Sequence, residues 1–181
     1  KSMYLQTQRI IVRPLSQNDL QEYHKLFSNP ENLTFELIEP HSQQQSETEL
    51  TSWLERNLEL DSAFGTTEFG IELISTGQLI GVISGLYIDT NSAIVEMGII
   101  VDHIHSNNGY SHEALQAYVN FAFSQTDTHK ILARTDSRNI PCIRLLEKIG
   151  MSREGLLRKN VKMPDGQYYD EAIYGILRED F

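Results

Sequence analysis

An apolar run that passes through a short polar loop into a helix limits this chain more than any other stretch. Residues 93–101 are rich in Val and Ile and residues 102–108 are polar. From Gly109 onward Ala114, Leu115, Tyr118, Val119 and Ala122 recur at helical spacing. A strand feeding a helix in this way commits the chain to an α/β arrangement and makes a place for an anion. The free N–H groups of the first helical turn and the partial positive charge there favour a phosphate, and Gly109 lets it approach the backbone. An ordinary strand-to-helix connection has the same pattern, so spacing alone leaves both readings open.

The flanking segments extend the α/β order. A first strand is expected over residues 5–12, closed by Pro14. Ser16 and Asp19 have capping-box spacing before a stripe of Leu20, Tyr23 and Phe27 that ends at Asn29-Pro30. Residues 41–45 read as loop. A second helix is expected from Ser46, with Leu50, Trp53, Leu54 and Leu58 on one side; Trp53 reads as a core anchor or as a lid over a substrate. Strands over 69–74, 79–87 and 93–101 form an antiparallel meander with turns at 75–78 and 89–92. After the central helix come a strand at 130–135, a helix over 142–149 opened by Pro141 and ended by Gly150, and a terminal hairpin turning at Pro164-Asp165-Gly166. The 181 residues suffice for one domain with a substantial core, spanning residues 1–181.

Charge and cysteine usage narrow the partners. Fifteen basic against 25 acidic residues give a formal net charge of -10, which argues against nucleic acid and suits a cationic substrate. The single cysteine, Cys142, excludes an internal disulfide and fits a cytoplasmic setting, and no apolar run is long enough to span a membrane. Lys1 and Ser2 precede Met3, the expected natural start, and nothing there resembles a signal peptide.

The loop and its helix resemble the acyl-CoA signature of the GCN5-related N-acetyltransferases (GNAT): Arg or Gln, two residues, Gly, one residue, then Gly or Ala. Ser106, Gly109 and Ser111 fall at these positions, so the long side-chain donor is missing while the backbone cradle is kept. Asn139, Cys142, Leu146-Glu147-Lys148, Ile149-Gly150-Met151, Glu154-Gly155, Arg158, Gly166, Asp170 and Tyr174 resemble the RimJ/RimL branch, whose described members acetylate ribosomal-protein N-termini. Thr7, Arg9 and Arg13-Pro14-Leu15 agree with it. The resemblance implies a single-domain GNAT-like fold, a mixed and mostly antiparallel sheet of about seven strands flanked by about four helices. It implies acetyl-CoA as cofactor, no metal, and direct transfer to a primary amine. That amine is a protein N-terminus first and a small molecule (polyamine, amino sugar, amino-acid derivative) second; a non-catalytic acyl-CoA-binding module and a homodimer are also compatible. The cofactor would lie against Ile99, Ile100, Val101, Ser106, Asn107, Asn108, Gly109, Tyr110, Ser111, His112 and Asn139, with a strand bulge near Gly98.

Acetyl transfer needs a neutral amine, a stabilised oxyanion and a proton for the departing thiolate. Glu96, a carboxylate within an apolar strand, is the candidate base, since burial would raise its pKa; a solvated face or an ion pair is the alternative, with Glu72 or solvent in reserve. A backbone N–H at 98–100 is the candidate oxyanion donor. Many members of the superfamily carry a Tyr proton donor where this chain has Leu146, which leaves Cys142, at the start of its helix, where the dipole would lower the thiol pKa. Cys142 as a packing residue, Cys142 as a covalent nucleophile paired with a His, and Asn139 as a helix cap are the competing readings. His103, His105 and His112 crowd the loop, but their spacing matches no common zinc site.

Overall fold

The amino-terminal run breaks in two. The Thr7 N–H donates to Ile10 O at 2.9 Å, so in this computed structural model β1 (Leu5–Gln6) folds back on β2 (Ile10–Pro14), with Leu5 opposite Val12. The sheet consequently has eight strands rather than about seven. Pro14 ends β2 from within, still paired with Phe69. The structure describes residues 3–59, 67–89 and 91–181, with the backbone alone for 57–59. Lys1, Ser2, the Leu58 side chain and one position of the 89–92 turn lie outside the described residues.

Asp19 ties the first helix to the sheet. Its Oδ2 accepts the Ser16 N–H at 2.7 Å, and its two carboxylate oxygens receive the Arg13 fork at 2.9 Å each. A 3-10 turn (Gln17–Asp19) then opens into α1 (Leu20–Ser28). The second helix, α2 (Gln43–Glu59), begins three residues before the expected Ser46. The Gln45 N–H donates to Ser42 Oγ at 3.2 Å and the Ser42 N–H to Gln45 Oε1 at 2.7 Å, a reciprocal cap that starts the helix early.

β3 (Thr67–Leu73), β4 (Leu79–Asp89) and β5 (Ile94–Val101) form the expected antiparallel meander. α3 (Tyr110–Gln125) carries the chain to β6 (Lys130–Asp136), which runs parallel to β5. α4 (Ile140–Lys148) leads to the hairpin of β7 (Ser152–Lys162) and β8 (Tyr168–Leu177). β8 inserts beside β6, giving the order β1-β2-β3-β4-β5-β6-β8-β7.

The two faces bury different cores. Phe69, Ile71, Ile83, Val95, Met97 and Ile131 pack on Leu115, Tyr118 and Val119 of α3 and Leu146 of α4. On the other face Leu79 and Val82 pack on Tyr23, Leu26 and Phe27 of α1 and Leu50 of α2, with Trp53 half-buried against them. Alternation along each strand decides which side chain joins which core, and this later identifies which residues face the acceptor.

Candidate active site

The site exists because two parallel strands part. β5 and β6 pair only at Ile94↔Lys130, Val95↔Ile131 and Glu96↔Leu132. Past Glu96 they diverge, and a cleft of about 630 Å³ opens between them. Its lining comes from both faces of the sheet: Leu115, Leu145 and Leu146 on the α3/α4 side, Phe27, Val82 and Ile100 on the α1/α2 side. The cleft therefore passes through the sheet, so two reactants could enter from opposite faces and meet beside Gly98. The bulge expected at Gly98 is absent. Gly98 pairs in regular register with Ser84, and the irregularity in this strand pair falls at Tyr87/Asp89 on β4. It is the splay, not a bulge, that frees backbone groups of β5 on the β6 side.

On the α3 side the loop and helix start expected to cradle a phosphate are built from the loop upward. Gly109 takes φ 80°, left-handed, as the residue that starts α3. A Cβ there would stand 3.3 Å from Arg9 Nη2, which could shift aside, so it is the conformation that calls for glycine. The Glu113 N–H makes the first helical bond back to Gly109 O at 3.0 Å, leaving the amides of Tyr110, Ser111 and His112 without intrahelical partners. The loop is braced from within: Ser106 Oγ donates to His103 O at 2.6 Å, and Asn108 Nδ2 to His105 O at 3.2 Å and Ser106 O at 3.1 Å. Asn107 adopts φ 63°.

An unanticipated clamp holds the cradle to the β1–β2 turn. Glu113 accepts from Thr7 Oγ1, from the Arg9 N–H at 2.9 Å and from Arg9 Nε at 2.8 Å. Arg9 also donates to Asn108 O at 2.8 Å and covers the Tyr110 ring at 4.4 Å. Burial pushes the Glu113 carboxyl up, but these donors outweigh it and hold the group below the usual range. The resemblance drew attention to Thr7 and Arg9; nothing in the sequence linked them to Glu113, more than 100 residues away.

Ile99, Ile100, Val101, Ser106, Asn107, Gly109, Tyr110, Ser111, His112 and Asn139 all line the cleft, while Asn108 does not. Asn139 caps α4 through Oδ1, which accepts the Cys142 N–H at 3.3 Å. Pro141 is the second residue of that helix, and the helix starts at Ile140. Cys142 lines the cleft too, but its thiol pKa moves opposite to the expectation. Burial pushes it up and the Glu36 carboxylate adds to this, against the Thr135 hydroxyl, which pulls it down. His103 is occupied with Asn32 (its N–H to Oδ1, 2.8 Å) and Glu31 (Nε2 to Oε2, 3.0 Å). His105 stands edge-on to Tyr110. Among the described residues no group of three His, Cys, Asp or Glu could hold a metal.

Glu96 is not the buried carboxylate its apolar strand suggested. It is 31% exposed, receives Arg134 Nε at 2.7 Å, and does not line the cleft. Arg134 does line it and is shared with Glu171 at 3.4 Å. Glu96 falls next to Leu132 on the solvent side of the last paired rung, where a neighbouring guanidinium is within reach. Glu72 is likewise engaged, with Arg13 at 3.2 Å. The buried carboxylate in the cleft is Glu68, 7% exposed, whose carboxyl burial pushes up to about 8 against an opposing pull from Tyr23. Its only sequence signal was a Glu alternating with Thr67, Phe69 and Ile71 at the start of a strand, a position that normally faces water.

Comparisons with known proteins point to one family. A family model described as "Acetyltransferase (GNAT) domain" matches residues 9–152. The "Probable N-acetyltransferase YjcK" of Bacillus subtilis is 32% identical over 182 residues, covering 97% of this chain and 98% of that protein. Among solved structures, a spermidine N-acetyltransferase from Vibrio cholerae in complex with CoA and spermine superimposes with a TM-score of 0.81 at 23% identity, covering 94% of this chain and 96% of that one. A ribosomal-protein-S5-alanine acetyltransferase from Vibrio fischeri gives 0.86 at 19%, covering 98% of each. At these identities the two structures speak to the fold alone.

Proposed function

The chain belongs to the GNAT acetyltransferase domain family and is an N-acetyltransferase, and from that premise we propose that it acetylates the primary amine of a small cationic acceptor. The observation that carries this reading is the separation of charge along the cleft. Arg144 and Lys148 of α4 line one end, while Glu31, Glu36 and Glu68 line the α1/α2 end, with Arg134, paired to Glu96 and Glu171, at its rim. A basic end suits the cofactor's phosphates; at the other end burial holds Glu36 and Glu68 toward their neutral forms, and an incoming ammonium would draw them to the charged one.

Acetyl-CoA supplies an activated acetyl thioester. The amides of Tyr110, Ser111 and His112 and the small Gly109 would hold its pyrophosphate. The unpaired edge of β5 at Ile99–Val101 would run beside its pantetheine, with Asn139 opposite. A β5 N–H in the splayed region, already fixed in place, would stabilise the developing oxyanion. Cys142, half-buried and protonated at neutral pH, would return a proton to the thiolate. Glu96 positions Arg134 at the rim of the acceptor end. We place the protein in the cytoplasm, in keeping with its lone thiol; no helix among the described residues is long and apolar enough to cross a membrane.

A protein N-terminal α-amine is the second reading, favoured by the RimJ/RimL-like residues of the carboxy-terminal half. Release of CoA thiol from acetyl-CoA with spermidine, and with a peptide bearing a free N-terminus, separates the two. Faster release with spermidine supports the small cation. A tenfold preference for the peptide would replace it with the α-amine reading.

A further inference from the structure

The acceptor end of the cleft keeps a carboxylate poorly provided for by its surroundings. Glu68 is more than nine-tenths buried, lines the cleft, and its Oε1 completes no hydrogen bond among the described residues. The Tyr23 hydroxyl lies against it, near enough to act on its charge, yet neither Tyr23 Oη nor the neighbouring Trp53 Nε1 completes a bond of normal geometry there. A buried polar atom is usually satisfied in the resting fold. Of these groups Glu68 alone lines the cleft, so a partner for its Oε1 can arrive from the cleft side.

Strand register connects this place to the reacting centre. Glu68 is directly opposite Ser84, and Ser84 is directly opposite Gly98. Cross-strand partners project to the same face, so the three form one row. It spans two strand spacings, roughly 10 Å, and ends where β5 leaves β6. Gly98 keeps the end of the row open: a Cβ there would stand 2.8 Å from Ser84 Oγ.

We propose that Glu68 takes up the proton of the acceptor amine, acting through the Ser84 hydroxyl. As the new N–C bond forms and the thioester C–S bond breaks, the amine proton passes to Ser84 Oγ and the Ser84 hydroxyl proton passes to Glu68. The departing thiolate is protonated from Cys142 or solvent. The groups facing Glu68 are Tyr23 from α1 and Glu49 from α2, with Glu31, Glu36, His103 and Arg134 along the same cleft. Burial and Glu49 leave Glu68 largely neutral at pH 7 and make its ionised fraction, which takes the proton and grows as the pH rises, a stronger base than an exposed carboxylate. The proposal rests on the acetyl-transfer reading above.

Steady-state turnover of the full chain with acetyl-CoA and spermidine or the free-N-terminus peptide tests it. Glu68→Gln should lower kcat/KM for the amine by roughly 10²–10³ at pH 7 with the KM for acetyl-CoA within about twofold. The loss should shrink toward pH 9.5, because the variant's acid limb then follows the amine's own ionisation. Ser84→Ala should lose about tenfold or more, with an unchanged melting temperature. If Glu68→Gln does not fold, Ser84→Ala and the parent's pH profile decide: full activity in Ser84→Ala, or a parent profile that merely tracks the amine, overturns the proposal. A parent that turns over, with Glu68→Gln within about threefold of it from pH 6 to 9.5, overturns the proton role and leaves the functional reading standing. A parent that binds acetyl-CoA but releases no thiol with either amine removes the functional reading and this role with it.

Discussion

Replacing Glu68 with Gln should stabilise the protein at alkaline pH, even though it removes a group from the cleft. In the folded chain the Glu68 carboxyl is held near 8, against an ordinary value of 4.5. The fold thus prefers the neutral form, and the unfolded chain releases the proton first. Stability contributed by the neutral carboxyl is fully present below about pH 4.5 and is lost as the pH rises through about 8. Each pH unit in that window is worth about 1.4 kcal/mol. Between pH 5.5 and 8 the parent should therefore lose about 3 kcal/mol that the variant keeps, or about 2 kcal/mol with water entering the open cleft to screen the charge. Urea denaturation of both proteins at pH 5.5, 7 and 9 measures this directly, since other titrating groups cancel in the difference. Stability curves that run parallel across this range would refute the claim that Glu68 is a desolvated carboxylate.

Three further outcomes follow from the cradle and the thiol. Acetyl-CoA at about 100 times its dissociation constant should stabilise the parent by roughly 2.7 kcal/mol, and Gly109→Val, which adds a β-branched side chain at φ 80° beside Arg9, should abolish most of the accompanying rise in melting temperature. Glu113→Gln should cost about 1–3 kcal/mol at pH 7 by weakening the Thr7 and Arg9 bonds. Because the Glu113 carboxyl is held low, that difference in urea stability should disappear as the pH falls below its ordinary value toward its lowered folded one. Cys142→Ser should keep most turnover and Cys142→Ala should lose at least about tenfold, or about 1.4 kcal/mol, if the thiol donates the proton; an alanine variant as active and as stable as the parent leaves Cys142 a packing residue.

Much of the fold was legible because it depends on local patterns. The α3 stripe from Ala114 to Ala122, the meander turns, Pro141 near the start of α4 and Gly150 at its end, φ 100°, all stand as the sequence suggested. The break at Thr7–Arg9 was not legible, since those residues leave the strand partly to reach Glu113, a long-range contact. The Ser42/Gln45 cap was readable but overlooked. At the site, the cradle from Ser106 to His112 was recognisable because a glycine between a strand and a helix is a local requirement. The acidic groups were not, since burial depends on neighbouring strands. Glu96 looked enclosed by Val95 and Met97, yet it faces Arg134. Glu68 drew no attention, falling just before the strand expected to start at Phe69, yet it is buried in the cleft beside Tyr23 of α1 and Glu49 of α2. Cys142 was placed correctly but assigned the wrong pKa direction, because desolvation is a property of the packed cleft and not of the helix start.

The separation of charge in the cleft is tested most directly by comparing kcat/KM for a linear diamine with that for the monoamine of the same length, with acetyl-CoA saturating and the acetylated nitrogen located by mass spectrometry. A second ammonium in the acidic end should raise kcat/KM for the diamine at least about tenfold, or about 1.4 kcal/mol, with the acetyl group on a primary nitrogen. Equal values for the two amines would contradict the cationic acceptor site on which this account rests.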